Sequence, residues 1–356
     1  MSTAKKIVRP EIGALKPYVA ATYADGVVRL NANEAPWGPI APDTGINLDE
    51  LNRYPEERPW ELTKRLADFY KVPQESLLVT RGSSEGIDLL IRSFCTAGKD
   101  KIITNPPTFG MYRVYADVQG ASVVEVPLLA DDNYRLDVDS IIGTIDVTTK
   151  LAFVCSPNNP TGNAVPRDQL ETLASELTNK ALLIIDAAYI EFANYDPTEL
   201  VSQYDNVVVL RTLSKALGLA GVRCGAVIAQ PEVIGYLQQI LPPYSYPKPC
   251  QEAVLASLNP QNRNEQEGRI NTLITERQRI AEYCETSPAF TRVLPSSANF
   301  IFVIASDPAA VIAATEAGNV RIRDFSKDPA APNGFRITVG TPDENTQLLK
   351  ALDTLK

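Results

Sequence analysis

The 356-residue chain contains no histidine. That absence excludes Ser-His-Asp and Cys-His nucleophile arrangements and the common His-ligated metal sites. Proton transfer must then fall to Lys, Tyr, Asp, Glu or a bound cofactor. Cysteine is sparse too: Cys95, Cys155, Cys224, Cys250 and Cys284 are odd in number, scattered and never in a Cys-x-x-Cys spacing. Neither a disulfide framework nor a zinc or other metal site is expected, and all five read as small buried hydrophobes. Positive charge is short, with 34 Lys and Arg against 43 Asp and Glu, a net charge of -9. This balance works against a nucleic-acid partner, so an anionic ligand must be met by a few placed cations. No apolar run approaches the roughly 20 residues that span a bilayer, and the basic start Met1-Ser-Thr-Ala-Lys-Lys-Ile-Val-Arg-Pro10 has no apolar stretch behind it. The expectation is a cytoplasmic chain with no membrane partner.

Hydrophobic content of 44% and charged content of 22% are ordinary for a folded protein, and the length calls for two domains or a large one with an appendage. From residue 77 to 229 short apolar runs alternate with helical patterns, as in parallel βα units. Strands are expected at Leu77 to Thr80, Lys101 to Thr104, Val123 to Pro127, Leu151 to Cys155, Leu182 to Asp186, Val207 to Leu210 and Ala226 to Ala229. Runs such as Leu182-Leu-Ile-Ile185 lack alternation, as strands buried on both faces do. Ile87, Leu90, Ile91 and Phe94 fall on one helix face. The proline cluster Leu241-Pro-Pro-Tyr-Ser-Tyr-Pro-Lys-Pro249 predicts the main boundary. Beyond it a long polar helix, strands at Asn299 to Ile304 and Phe335 to Val339, and a helix opened by Thr341-Pro-Asp-Glu make a smaller α+β unit. The expected division is an arm over 1–29, a large α/β domain over 30–245 with a mostly parallel sheet flanked by helices, and a small domain over 246–356.

Ligands of open α/β sheets collect beyond the carboxyl ends of the strands. Four loops there are unusual: Thr80-Arg-Gly-Ser-Ser-Glu85, Ser156-Pro-Asn-Asn-Pro-Thr-Gly162, Asp186-Ala-Ala-Tyr189 and Arg211-Thr-Leu-Ser-Lys215. Singly, each has a plain alternative: a capping box at Gly82-Ser-Ser84, an ordinary turn, a helix cap at Asp186, a solvated lysine at Lys215. Together they bring amide, carboxylate, phenol and amine to one sheet edge. Pyridoxal phosphate needs such a set: a lysine, an acid beside its ring nitrogen, donors to its phenolate oxygen and a phosphate cup.

In order and spacing these motifs resemble the fold-type-I pyridoxal-phosphate-dependent aminotransferases, and within them the histidinol-phosphate aminotransferase branch. The resemblance runs over Leu30-Asn-Ala-Asn-Glu-Ala-Pro-Trp37, Arg53-Tyr-Pro55, Pro106-Pro-Thr-Phe-Gly-Met-Tyr112, Cys155-Ser-Pro-Asn-Asn-Pro-Thr-Gly162, the block from Thr212-Leu-Ser-Lys215 to Arg223-Cys-Gly225, and Phe335-Arg-Ile-Thr-Val-Gly340. It implies that Lys215 carries the cofactor as a Schiff base and, once freed, acts as general base. Asp186 would partner the ring nitrogen, and Asn159 and Tyr189 would donate to the phenolate oxygen. Phe109 would stack on the ring, though it could equally be a core aromatic. The phosphate cup would be the backbone N–H groups of Ser83 and Ser84, the hydroxyls of Thr212 and Ser214, and Arg223. Two serines stand where many relatives have a small residue and an acid, which alters side-chain contacts rather than backbone ones. Tyr54 would reach the phosphate of a neighbouring subunit, implying a homodimer; its alternative is an ordinary turn tyrosine.

Substrate would be gripped by Arg336, with Arg323 and Tyr18 nearby, a second arginine suiting a phosphate ester. The implied reaction is transamination between histidinol phosphate and 2-oxoglutarate, giving imidazole acetol phosphate and glutamate in histidine biosynthesis. The rivals are a threonine-phosphate decarboxylase and an aromatic amino-acid aminotransferase. A non-catalytic cofactor-sensing module would carry an added DNA-binding domain, for which this chain has no room. A dinucleotide enzyme would show GxGxxG after its first strand, and none is present.

Overall fold

The structure, a computed structural model, describes residues 26–40 and 51–355. Tyr18 lies outside the described residues. Twelve strands form two sheets among them. The larger has the order β2-β8-β7-β6-β5-β3-β4, comprising β2 (Leu77–Thr80), β3 (Lys101–Thr104), β4 (Ser122–Glu125), β5 (Thr149–Cys155), β6 (Leu182–Asp186), β7 (Val207–Thr212) and β8 (Gly225–Ile228). Only β8 runs against its neighbours, as the apolar, non-alternating runs predicted for a mostly parallel sheet. Strand β7 continues two residues beyond the expected Leu210, so Arg211 and Thr212 belong to the strand and not to the loop.

Separate apolar clusters cover the two faces of this sheet. Leu183, Ile185, Val207 and Val209 enter one, while Ile184, Val208, Leu210 and Phe153 enter the other. Two helices feed these clusters. Helix α1 (Trp60–Tyr70) buries Leu62, Leu66 and Tyr70, and helix α2 (Ser83–Phe94) buries Ile87, Leu90 and Ile91, each set at helical spacing. Arg211, a buried residue of β7, donates to Glu191 at 2.9 Å, to Asp196 at 2.7 Å and to the Thr198 hydroxyl at 2.9 Å. This ion cluster clamps β7 onto the segment after β6, and both lead into the site loops.

The second sheet has the order β1-β11-β12-β10-β9, from β1 (Val28–Leu30), β9 (Phe290–Leu294), β10 (Phe300–Ala305), β11 (Val320–Phe325) and β12 (Gly334–Thr338). The final helix, Pro342–Leu352, begins where Thr341-Pro-Asp-Glu predicts, and the structure adds a capping box between Thr341 and Glu344. Two packing facts bear on the domain division. Strand β1 pairs in parallel with β11, so Leu30 belongs to the small sheet's core. Helix Lys248–Ser257, which starts inside the proline cluster, packs its Val254 in the core that also holds α1's Leu62. No helix among the described residues is long and apolar enough to cross a membrane.

Candidate active site

Strands β5 and β6 end level, with Cys155 opposite Asp186, and β7 runs just past them to Thr212. Their loops, with the N-terminus of α2, enclose a cavity of about 230 Å³. Lining it are Ser83, Ser84, Phe109, Asn159, Asp186, Tyr189, Thr212, Ser214, Lys215 and Arg223, so ten of the expected residues line one cavity. Ala32, Glu34 and Cys155 join them.

One end of the cavity suits an anion. Gly82 precedes α2 with φ of 76°, and a Cβ there would lie 2.6 Å from the Arg223 guanidinium. A Cβ at Gly225 would meet the Ser83 nitrogen at 2.7 Å. Only glycines let the helix start, β8 and Arg223 approach so closely. The Thr212 hydroxyl donates to Ser214 Oγ at 3.0 Å, and Arg223 donates to the same oxygen at 3.4 Å. Helix N–H groups, two hydroxyls and a guanidinium thus converge on one place.

In the middle stands Lys215. Its Nζ donates to the carbonyl of Ala32 at 3.2 Å and lies 5.7 Å from the centroid of the Tyr189 ring. Burial, then the Arg336 and Arg223 cations, depress its pKa to about 8 against the pull of Glu34 and Asp186. A usable fraction of neutral amine is therefore present near neutral pH. The Asp186 carboxyl is fully buried, and burial pushes its pKa up to about 6 in spite of hydrogen bonds from Tyr112 at 2.8 Å and from the Ala188 N–H at 3.2 Å.

Tyr189 accepts from Asn33 at 3.1 Å and from Asn159 at 3.4 Å, which leaves its own proton for a third partner. Asn33 is fixed in turn, since its N–H donates to Thr338 Oγ1 at 3.0 Å and its Oδ1 accepts from the same hydroxyl at 2.9 Å. Arg336 does not line the cavity but reaches its edge, donating to Asn159 Oδ1 at 2.6 Å and to the Asn31 carbonyl at 2.9 Å. Arg323 faces Arg336 across the β11–β12 register, and both guanidinium groups lie over the Phe325 ring, at 5.9 and 5.8 Å.

Tyr54 stands apart: it is 82% exposed, stacked on Tyr244 with centroids 4.8 Å apart, and does not touch this cavity. Asn33 and Tyr112 were given no role by the sequence, although both lie in the blocks that carry the family resemblance. Their partners are 74 or more positions away.

The family model for aminotransferase class I and II matches residues 42–352. The histidinol-phosphate aminotransferase of Stenotrophomonas maltophilia is 39% identical over 97% of this chain and 95% of its own. That of Aeromonas salmonicida is 40% identical over 98% and 96%. In fold, the chain matches the solved histidinol-phosphate aminotransferase from Sinorhizobium meliloti in complex with pyridoxal-5'-phosphate, with a TM-score of 0.84 at 21% identity over 99% of this chain and all of that one. Sequence and fold agree, and the chain belongs to the class I and II aminotransferases, within them to the histidinol-phosphate aminotransferase family.

Proposed function

We propose that this chain transfers an amino group between histidinol phosphate and 2-oxoglutarate, giving imidazole acetol phosphate and glutamate in histidine biosynthesis, with pyridoxal phosphate held on Lys215. The observation that carries the reading is the placing of the Lys215 amine, the buried Asp186 carboxylate and the Arg223 cluster around one cavity of about 230 Å³. These residues fit the cofactor by their chemistry. A glycine-lined cradle of N–H groups, hydroxyls and Arg223 would hold its phosphate, Asp186 its ring nitrogen, and Asn159 and Tyr189 its phenolate oxygen, with Phe109 against the ring. When bound, pyridoxal phosphate supplies an electron sink for the substrate carbon that loses its proton.

The chain's own residues supply the rest. Lys215, with its depressed pKa, takes a proton from the substrate's amino-bearing carbon and returns it on the other side of the transfer. Arg336 binds the substrate's anionic group, and Arg323 and Tyr18 assist with the phosphate ester. Asp186 is buried and Lys215 half-buried, which limits the access of bulk water to the reacting groups. Tyr54, too exposed to serve its own cavity, completes the phosphate cup of a second copy, so the proposal includes a homodimer in the cytoplasm. It also keeps the division at residues 30 and 246, with β1 lent to the small sheet.

Purified protein given histidinol phosphate and 2-oxoglutarate should form glutamate in step with imidazole acetol phosphate. Release of carbon dioxide from threonine phosphate, or faster transfer from an aromatic amino acid, would replace this substrate assignment with one of its rivals.

A further inference from the structure

Tyr112, at the start of helix α3 (Met111–Gln119), stands directly behind Asp186. Its hydroxyl donates to Asp186 Oδ2 at 2.8 Å, and the residue is 1% exposed. Phe109, Cys155 and Asp186 line the cavity, while Tyr112 does not. The ring is held on two sides: stacked on Phe153 with centroids 4.8 Å apart, and edge-on to Phe109 at 5.7 Å. A phenol packed this way cannot swing off its acceptor.

We propose that Tyr112 is a positioning residue that keeps the Asp186 carboxylate ionised and in one orientation, so that it can serve the ring nitrogen of the cofactor. The inference rests on the functional reading above and goes beyond it, because Tyr112 reaches the cofactor only through Asp186.

Burial alone would drive Asp186 toward its neutral form, which could no longer stabilise a positive ring nitrogen. What opposes burial is short: the Tyr112 hydroxyl, the Ala188 N–H and the Lys215 cation. The other titratable groups near Asp186 are Cys155 and Tyr189, and burial holds both in their neutral forms. The chain has no imidazole to take the place of the phenol. Burial and the Asp186 charge also raise the Tyr112 pKa well above its ordinary value, so the proton stays on the tyrosine, and Tyr112 acts as donor throughout.

The test is carbon-13 NMR of the full-length protein labelled at aspartate carboxyls, the Asp186 signal being the one missing in Asp186→Asn. In Tyr112→Phe the Asp186 midpoint of the cofactor-free protein should rise by about one pH unit or more. Placing 3-fluorotyrosine at position 112, a stronger donor of nearly the same shape, should lower it, which keeps the test available if the phenylalanine variant folds poorly. Affinity for added pyridoxal phosphate should be nearly level from pH 6.5 to 8 in the wild type but weaken toward low pH in Tyr112→Phe. In the holoenzyme kcat should fall while KM for the amino donor holds. A tyrosine that served only packing would change stability and leave the midpoint in place; an unmoved midpoint in both variants of a protein that binds pyridoxal phosphate overturns this proposal alone. Failure of the wild type to bind pyridoxal phosphate overturns the functional reading beneath it.

Discussion

Arg336 donates to Asn159 Oδ1 at 2.6 Å across 177 positions of sequence, joining strand β12 of the small sheet to the loop that follows β5 of the large one. The same guanidinium reaches the Asn31 carbonyl. Arg336, proposed to bind the substrate's anionic group, is thus held in place on a backbone carbonyl and an amide that a charged ligand can outcompete.

On the proposed reading, glutamate would present a carboxylate to this arginine and histidinol phosphate a dianionic phosphate. Arg336→Ala should therefore lower kcat/KM of both half-reactions, by about 10- to 100-fold for a charged hydrogen bond of roughly 1.5–3 kcal/mol. Arg323, across the strand pair, should matter chiefly for the larger charge. Single-turnover measurements on Arg323→Ala check this: equal losses for glutamate and histidinol phosphate would contradict the division of labour.

Asp186 carries a pH signature in the cofactor-free protein. Its folded pKa of about 6 lies above the unfolded value of roughly 3.9, so between these pH values the folded chain binds more protons than the unfolded one. Stability should then fall as pH rises through that window and stay lower above it, by about 3 kcal/mol from this group. Denaturant titrations of wild type and Asp186→Asn from pH 4 to 7 measure the effect as a difference that grows with pH in favour of the variant. Parallel curves would show that burial does not raise the Asp186 pKa.

Tyr54 offers a test of whether two copies share a site. A hybrid of inactive Lys215→Ala and inactive Tyr54→Ala subunits has one cavity that receives both intact residues, so mixing the two should restore partial activity. If Tyr54→Ala remains fully active by itself, the residue does not complete a partner's site.

The large sheet was legible because its strands are unbroken apolar runs and its chemistry sits where such runs end, as at Ile185-Asp186 and Leu210 to Lys215. Lys215, Asp186, Asn159, Tyr189 and Arg223 could be named because each lies in a compact motif with fixed spacing. Asn33 and Tyr112 could not be given roles, because what defines them is a partner 74 or more positions away. Strand β1 escaped for a similar reason: three residues carry no periodicity, and only pairing with β11 makes them a strand. The proline cluster is a local signal. It breaks regular structure over a few residues, but packing continues past it through Val254.

If Lys215 holds pyridoxal phosphate in this cavity, a covalent label must land on it. Purified protein incubated with the cofactor, reduced with borohydride, digested and analysed by mass spectrometry should carry the cofactor's added mass on the peptide containing Lys215. Lys215→Ala should lose that adduct and its transamination while retaining weaker, reversible binding through the Arg223 cradle. An adduct on any other lysine, with Lys215 unmodified, would overturn the assignment of Lys215.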